Sequence, residues 1–157
     1  MKTLDNNIKM VLIGIVCVAK DMGIGFENKC LFRIPEDRKF LYDMITCKNI
    51  VVGKKTYGTL PIALLRMVKH VHVLNSYNGL PKEYINSPEE YFVLGGAKTY
   101  ESLSKYIKTW YVTHVDAVKE SDSYFKVNLD NFKCNEIKSG NFEGLNYTIN
   151  VYSSESI

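Results

Sequence analysis

The sequence predicts an α/β protein in which a mixed, mostly parallel central sheet is flanked by helices and ends in an antiparallel hairpin. Three observations predict this class. The early strands are continuous apolar runs, typical of a parallel sheet that helices cover on both faces. Helical segments alternate with these strands. Two strand-like segments around a turn-rich stretch then close the sequence, and strands joined in this way are antiparallel. The length of 157 residues favours a single domain over residues 1–157.

The first strand is expected at Met10–Ala19. This apolar run is far shorter than the roughly 20 residues of a membrane span, and Asp5 interrupts what would be the basic region of a signal peptide. A glycine-marked loop, Asp21–Gly25, leads to a helix from Pro35 to about Thr46, where proline suits the first helical position. The later elements are strands at Ile50–Val52, Val71–Leu74, Tyr91–Leu94 and Thr109–Val115, a helical turn after Gly53, a helix from Ala97 to about Ile107, and hairpin strands at Phe132–Lys138 and Asn146–Ser153 around Ser139–Gly144.

Composition and charge exclude several classes of protein. With 46% apolar and 24% charged residues, the chain is an ordinary globular protein without long disorder. The net charge is +3 and no basic run exceeds two residues, so we expect no nucleic-acid partner. Four cysteines without a C-x-x-C pair and three histidines predict no metal site, and reduced thiols predict a cytoplasmic protein. We further expect no membrane partner and a monomer.

Asp37 lies on the apolar face of the first predicted helix. It is three residues after Ile34 and three and four residues before Phe40 and Leu41, a spacing that places all four side chains together. The expected solvent-side charges of this helix are Glu36, Arg38 and Lys39. A carboxylate in that position is costly unless something binds it. The alternative is a first-turn acid that bonds local backbone N–H groups and faces partly outward. On these residues alone both interpretations stay open.

Two segments run from a strand through glycine into a basic, hydroxyl-bearing turn. They are Ile50–Thr56, with Gly53-Lys54-Lys55-Thr56, and Tyr91–Tyr100, with Gly95-Gly96-Ala97-Lys98-Thr99. Glycine lets a ligand approach the backbone, free N–H groups at a helix start bind anions, and lysine adds charge for phosphate. Neither is a G-x-G-x-x-G or Walker motif, and each alone fits ordinary turn chemistry. Together they favour a ligand with several phosphates.

Five segments in this order resemble the dihydrofolate reductase family. They are Ile24–Asn28, Ile34–Phe40, Val51–Tyr57, Phe92–Tyr100 and Trp110–Asp116. The resemblance runs from Ile13 to about Phe125, and the ordered set is specific although each segment alone is weak. It implies NADPH-dependent reduction of 7,8-dihydrofolate to tetrahydrofolate, by hydride transfer to pterin C6 with protonation at N5.

On the substrate side, the resemblance implies that Asp37 bonds the 2-amino group and N3 of the pterin ring. Burial should raise the pKa of this carboxyl group, which would assist N5 protonation through water. Thr113 would bond the same carboxylate, and with Phe32 and Tyr100 the two form the implied catalytic set. The other implied substrate contacts are Ile15, Val16 and Leu94, the apolar wall of Phe40 and Leu41, and a cation for the glutamate tail, which is Arg66 or Lys69, with Arg66 favoured.

On the cofactor side, the resemblance implies that the nicotinamide lies against Cys17, Ile24 and Gly25. The loop Gly23–Leu31 would close over the site and exclude water. Lysines beside the 2′-phosphate would favour NADPH over NADH. The implied contacts to the rest of the cofactor are Gly53, Lys54, Lys55, Thr56, Asn75, Ser76, Gly95, Gly96, Ala97, Lys98, Thr99 and Tyr100.

The chain departs from the family pattern at two places. Leu31-Phe32 stands where the family usually has Pro-Trp, so an indole donor to an active-site water is missing. The stretch Tyr77–Glu90 is short, and a helix usual there is not expected. Two alternatives stay open: a non-catalytic binding or structural module, which the missing indole suggests, and a pyrimidine reductase of riboflavin synthesis with the same fold and no need for Asp37.

Overall fold

The computed structural model describes residues 11–75 and 88–154. The strands are β1 (Val11–Val18), β2 (Gly23–Gly25), β3 (Asn49–Gly53), β4 (His70–Leu74), β5 (Glu90–Val93), β6 (Ile107–Val115), β7 (Ser123–Tyr124), β8 (Phe132–Phe142) and β9 (Leu145–Ser154), and the helices are α1 (Pro35–Ile45), α2 (Lys54–Tyr57), α3 (Ile62–Met67) and α4 (Ala97–Leu103). Within these ranges no helix is both long enough and apolar enough to cross a membrane.

Seven strands form one mixed sheet in the order β4-β3-β5-β1-β6-β9-β8. The pairs β1–β5, β1–β6, β3–β4 and β3–β5 are parallel, whereas β9 is antiparallel to β6 and β8. β2 and β7 form a separate antiparallel pair. The predicted fold class is therefore confirmed. Since parallel strands end at the same edge of a sheet, the residues that follow β3 and β5 lie close to the ends of β1 and β6.

The sheet separates two layers of helix. On one face, α1 and α3 contribute Ile45 and Leu64 to a core with Ile13, Ile50 and Phe92. On the other face, α4 contributes Tyr100 and Leu103 to a larger core that includes Trp110 and Phe125. Alternate residues of β1 serve the two cores, as the period of two in a strand requires. The expected three-layer arrangement is present.

Helix α1 begins at the predicted Pro35 and ends one residue before the predicted Thr46. Ile34 precedes the helix and provides no side-chain cap, as a residue without a polar atom must. At the other end, the Thr46 hydroxyl donates to the carbonyl oxygen of Tyr42 at 2.6 Å, which closes the last turn.

The structure corrects two predicted boundaries and adds two features. The helix from Ala97 stops at Leu103 and continues as a 3-10 turn through Tyr106, because Ile107 pairs with Leu12 in the sheet and is 2% exposed. The hairpin turn is only Glu143-Gly144, so Ser139–Phe142 belongs to β8. Sequence analysis did not identify α3 or the β2–β7 pair. The predicted Ser76 contact and most of Tyr77–Glu90 lie outside the described residues.

Candidate active site

The first turn of α1 places Asp37 against the end of β6. The Thr113 hydroxyl donates to Asp37 Oδ1 at 2.5 Å, and Thr113 is only 3% exposed. Burial raises the pKa of Asp37, and the hydrogen bond from Thr113 together with the nearby Cys17 thiol lowers that pKa part of the way back. The predicted contact between the two residues is present. The carboxylate faces the sheet, so the alternative of an outward first-turn acid does not describe it.

Apolar side chains surround the Asp37 carboxylate. Ile34 is buried, and half-buried Cys17, Phe32 and Phe40 pack in the same cluster. The Phe40 ring lies 5.8 Å from the ring of Tyr111 on β6. Leu41, also half-buried, packs toward the core beneath α1. These half-buried side chains form an apolar, partly exposed surface around the carboxylate.

Glu36 differs from its expected position. It was predicted to be a solvent-side charge together with Arg38 and Lys39, but it is half-buried and accepts a hydrogen bond from the Tyr147 hydroxyl at 3.2 Å. The reason is that β9 packs beside the start of α1, which a helical wheel of α1 alone does not show. Arg38 and Lys39 are exposed as predicted.

Tyr100 connects α4 to β1. Its hydroxyl donates to the carbonyl oxygen of Ile15 at 2.7 Å, and the side chain is 4% exposed. Burial raises the pKa of Tyr100 well above its ordinary value, and the nearby Cys30 and Cys17 thiols raise it further. Tyr100 therefore remains a protonated donor. Ile15, which the resemblance implies contacts the substrate, thus offers its carbonyl oxygen to Tyr100.

The side chain of Val16 lies in the core beside α4. Val16 was expected to contact the substrate, and its side chain is 7% exposed. Cys17 instead packs in the cluster that contains Ile34 and Phe40. Because successive side chains of a strand point to opposite faces, only the backbone of Val16 is available to a ligand beside Asp37.

The two glycine corners touch each other. The Gly53 amide donates to the carbonyl oxygen of Gly95 at 2.8 Å, and a Cβ atom on Gly96 would lie 3.0 Å from Thr56 Oγ1. The peptide bond between Gly95 and Gly96 is cis. The fully buried Thr99 hydroxyl finds no hydrogen-bond partner among the described residues. An unsatisfied buried hydroxyl beside glycine backbone fits a polar ligand, so these residues fit the phosphates of a dinucleotide.

The remaining predicted cofactor contacts surround these corners. Lys54, Lys55 and Lys98 are exposed, Ala97 opens α4, and exposed Asn75 follows β4. Across the site, Ile24 and Gly25 lie in β2 and are half-buried.

A carboxylate that sequence analysis missed anchors the loop after β2. Asp122, beside β7, accepts a hydrogen bond from the Glu27 amide at 3.0 Å, and its own amide donates to the Gly25 carbonyl oxygen at 2.9 Å. The loop after β2 is thus held by a residue that lies 95 positions after Glu27 in the chain. No local pattern around Asp122 could have indicated this contact, because it depends on the pairing of β2 with β7.

Phe32 occupies the position where the family usually has an indole. It is half-buried, and the Lys119 ammonium group lies 5.4 Å from its ring centre while donating to the Leu31 carbonyl oxygen at 2.8 Å. The single tryptophan of the chain, Trp110, is fully buried in the core beside α4. It cannot supply the missing indole to the pocket.

The two candidates for the glutamate tail differ in their partners. Lys69 Nζ forms an ion pair with Glu89 at 2.7 Å. Arg66 is exposed in the last turn of α3, next to α1, and makes no ion pair with any residue in ranges 11–75 and 88–154. This arrangement leaves Arg66 the more available cation. In those same ranges, no group of three His, Cys, Asp or Glu side chains is arranged to hold a metal ion.

Comparison with known proteins assigns the chain to a family. The sequence model described as Dihydrofolate reductase matches residues 11–154. The chain belongs to the dihydrofolate reductase family. The dihydrofolate reductase of Buchnera aphidicola subsp. Acyrthosiphon pisum is 29% identical over 124 residues, which cover 71% of this chain and 76% of that protein. Dihydrofolate reductase type 9 of Escherichia coli is 30% identical over 134 residues, with coverages of 73% and 76%. A Staphylococcus aureus dihydrofolate reductase is 27% identical over 124 residues, with coverages of 70% and 76%.

Proposed function

We propose that this protein reduces 7,8-dihydrofolate to tetrahydrofolate with NADPH. The observation that carries the proposal is the half-buried Asp37 carboxylate, which Thr113 holds in an apolar setting at the same edge of the sheet as the paired glycine corners. Membership of the dihydrofolate reductase family supports a reduced nicotinamide cofactor. The choice of NADPH rests on the exposed lysines at the corners.

Asp37 binds and orients the substrate in this proposal. The 2-amino group and N3 of a pterin present two N–H donors side by side, and a carboxylate accepts such a pair with two parallel hydrogen bonds. The Thr113 hydroxyl satisfies another lone pair of Oδ1 and fixes the plane of the carboxylate. Phe40 and Leu41 pack against the ring and exclude water from it.

Asp37 also influences where a proton resides. Because burial raises the pKa of this carboxyl group, it can share a proton with the pterin at a higher pH than a free aspartate could. N5 receives its proton through water beside the ring. Since Phe32 offers no donor, Asp37 and Thr113 are the polar groups that order this water.

The glycine corners and Tyr100 position the cofactor relative to the substrate. NADPH supplies the hydride for C6 of the pterin. The Gly53 and Gly95-Gly96 corners would hold its pyrophosphate with the Thr99 hydroxyl, and Lys54, Lys55 and Lys98 would balance the charge of the 2′-phosphate. The bond from Tyr100 to Ile15 ties the cofactor side of the site to β1, which would help to hold a bound cofactor in a fixed position relative to the substrate.

The proposal extends to the setting of the enzyme. Four cysteines are free thiols, which supports a reducing, cytoplasmic compartment. They are Cys17, Cys30, Cys47 and Cys134. We propose a monomeric domain that acts on a small-molecule substrate.

The deciding experiment is a spectrophotometric assay of purified protein with dihydrofolate and either NADPH or NADH. We expect NADPH oxidation that depends on dihydrofolate. Asp37→Asn should lose roughly 10²–10⁴-fold in kcat/KM at neutral pH, because the amide cannot accept both pterin donors or hold the proton. The matched control is Asp43→Asn, which removes an exposed carboxylate from the same helix and should retain activity.

Two outcomes would contradict the proposal. Tight NADPH binding without any turnover of dihydrofolate would indicate the binding-module alternative. Reduction of a riboflavin-pathway pyrimidine, with Asp37→Asn retaining full activity, would indicate the other reductase of this fold.

A further inference from the structure

Lys119 reaches the segment that leads into α1. It is exposed and lies between β6 and β7. Its ammonium group donates a hydrogen bond to the Leu31 carbonyl oxygen at 2.8 Å and lies 5.4 Å from the ring centre of Phe32. An ammonium group within about 6 Å of an aromatic ring centre is attracted by the electrons of the ring face. One side chain therefore holds two consecutive residues just before the helix.

The start of α1 depends on such contacts, because its own sequence provides no cap. Ile34 precedes the helix and makes no side-chain hydrogen bond to the free amides of the first turn. Within that turn, the Thr113 hydroxyl of β6 donates to Asp37. Before it, the segment that follows β6 holds Phe32 through Lys119. The helix start is thus held on both sides of Ile34 by β6 and its continuation.

Phe32 connects this contact to the site. Its ring is half-buried and packs in the cluster that contains Ile34 and Phe40, the side chains around the Asp37 carboxylate. Lys119 forms no ion pair with any carboxylate in the described parts of the chain. Its positive charge therefore acts on the ring and on the backbone carbonyl oxygen.

We propose that Lys119 is a positioning residue for the substrate site, because it fixes Leu31-Phe32 and through them the start of the helix that carries Asp37. The inference rests on the proposed function, since it assigns this helix start a part in binding dihydrofolate. A displaced Asp37 binds the substrate and the transition state less tightly by the same factor. Loss of the contact should therefore raise KM and leave kcat nearly unchanged.

The kinetic test compares Lys119→Met, which keeps the apolar stem and removes the charge, with Lys119→Arg, which keeps a charged donor. We expect Lys119→Met to raise KM for dihydrofolate about 3- to 10-fold, the effect of losing an exposed cation–ring contact and a charge-assisted hydrogen bond. The value of kcat should change less than about twofold. Lys119→Arg should keep KM close to the parent value, because a guanidinium group also stacks on a ring and donates to a carbonyl oxygen.

Phe32→Leu separates the two contacts of Lys119. Without the ring, the ammonium group retains only its bond to the Leu31 carbonyl oxygen. Lys119→Met should therefore raise KM by a smaller factor in the Phe32→Leu background than in the parent protein. The matched control is Lys126→Met, which removes another exposed lysine of the same region and should leave KM and kcat unchanged.

Hydrogen exchange in the ligand-free protein tests the positioning without any turnover. The Arg38 amide donates to the Ile34 carbonyl oxygen at 3.0 Å in the first turn of α1. It should exchange several-fold faster in Lys119→Met than in the parent, and at the parent rate in Lys126→Met. The Leu94 amide, which is bonded to β3, should exchange at the same rate in all three proteins.

Several results would overturn the inference. One is an active Lys119→Met variant in which KM or the exchange of Arg38 is unchanged, or in which only kcat falls. Another is a Lys119→Arg variant that behaves like Lys119→Met, or an equal rise in KM with and without the Phe32 ring. Faster exchange at Leu94 together with Arg38 would also overturn it, because Lys119 would then stabilise the whole domain and not the helix start.

The exchange measurement separates this inference from the proposed function. Faster exchange confined to the start of α1, in a protein that does not reduce dihydrofolate, would support the role of Lys119 and contradict the proposed activity. Turnover of dihydrofolate with no effect of Lys119→Met on exchange or KM would do the reverse.

Discussion

Asp37 shows how a single residue can be suited to binding at the expense of stability. Its carboxylate is removed from water by Ile34, Phe40 and the sheet, and the hydrogen bond from Thr113 recovers only part of the lost hydration, since the pKa of Asp37 remains raised. A ligand with two N–H donors would supply the missing bonds. The unliganded protein therefore bears a cost at this position that its substrate relieves.

This cost predicts a dependence of stability on pH. A carboxyl group with a raised pKa in the folded state binds protons more tightly when folded than when unfolded, so its favourable contribution is complete below the ordinary aspartate pKa of about 3.9. That contribution is lost as the pH rises through the folded-state pKa. We expect Asp37→Asn to raise the Tm relative to the parent protein at neutral pH, and the gain to vanish below about pH 3.9.

Thermal unfolding at the two pH values measures the effect. Asp43→Asn is the control, because Asp43 is exposed and its ion pair with Lys39 at 2.7 Å contributes little. A lower Tm for Asp37→Asn at neutral pH would show that the Thr113 bond outweighs the burial of the carboxylate.

Asp37 could be identified from the sequence because a charged side chain stands within the apolar face of a predicted helix, where apolar residues are expected. The same reasoning could not assign the partners of Glu36 or Asp122, since each bonds to a residue about a hundred positions away, at separations of 111 and 95. Nor could the sequence show that the side chain of Val16 lies in the core beside α4. Periodicity shows that neighbours in a strand alternate, but it does not show which set faces the pocket.

At the scale of elements, the pairing of β1 with β6 depends on a glycine. Trp110 crosses β1 at Gly14, its register partner, and a Cβ atom there would lie 2.1 Å from Cε3 of the indole. The indole is fully buried against Tyr100 and Phe125, so it cannot move aside. We expect Gly14→Ala to lower the free energy of unfolding by about 3 kcal/mol, as overpacking of a core does.

Denaturant unfolding measures this loss. Gly58→Ala is the control: its Cβ atom would meet the Lys55 carbonyl oxygen at an ordinary 3.6 Å, with a φ of −65° that any residue adopts. It should change stability by less than about 1 kcal/mol, in the stabilising direction. If Gly14→Ala unfolds at the same denaturant concentration as the parent, the close approach of Trp110 is not a constraint on this strand pair.

The two glycine corners lead to a prediction about cofactor choice. Replacing Lys54, Lys55 and Lys98 singly by glutamine should reduce the preference for NADPH over NADH, since a neutral side chain cannot balance the 2′-phosphate. Replacing the lysine that contacts the 2′-phosphate should lower the ratio of kcat/KM with NADPH to kcat/KM with NADH about tenfold. This is the effect of losing one charge-assisted hydrogen bond. Lys108→Gln is the control, because Lys108 is exposed near the opposite end of the parallel strands. Equal use of both cofactors by the unaltered protein would contradict the assignment.

Elements with one dominant signal were predicted well, and those set by tertiary contacts were not. Apolar runs located β1, β3, β4 and β5, and Pro35 located the start of α1. Ser139–Asn141 looked like a turn because of its composition, yet Gly140 sits within β8, where the Tyr147 hydroxyl would lie 2.6 Å from a Cβ atom. The glycine serves a close approach to that ring, which only the pairing of β8 with β9 reveals.

The whole molecule brings both halves of the site to one edge of the sheet. Five adjacent strands from β4 to β6 run parallel, so the ends of β1 and β6 meet the corners after β3 and β5 without any special connection. The fold class thus predicts that distant motifs converge. The distance between these motifs depends on contacts such as the hydrogen bond from Tyr100 to Ile15, which the sequence pattern does not predict.

The fluorescence of Trp110 can report whether the whole chain unfolds as one unit. It is the single tryptophan, it is fully buried, and it lies in β6, between β1 and β9. If residues 1–157 form one domain, the change in Trp110 fluorescence and the loss of far-ultraviolet circular dichroism should follow one coincident transition in denaturant.

NADPH at about 100 times its Kd should raise the free energy of unfolding by about 2.7 kcal/mol, because it binds only the folded chain. Since the corners lie after β3 and β5 whereas Trp110 lies in β6, a shift seen by both probes requires that the two halves of the sheet unfold together. Two separate transitions, or a cofactor shift confined to one probe, would show that the chain contains two units.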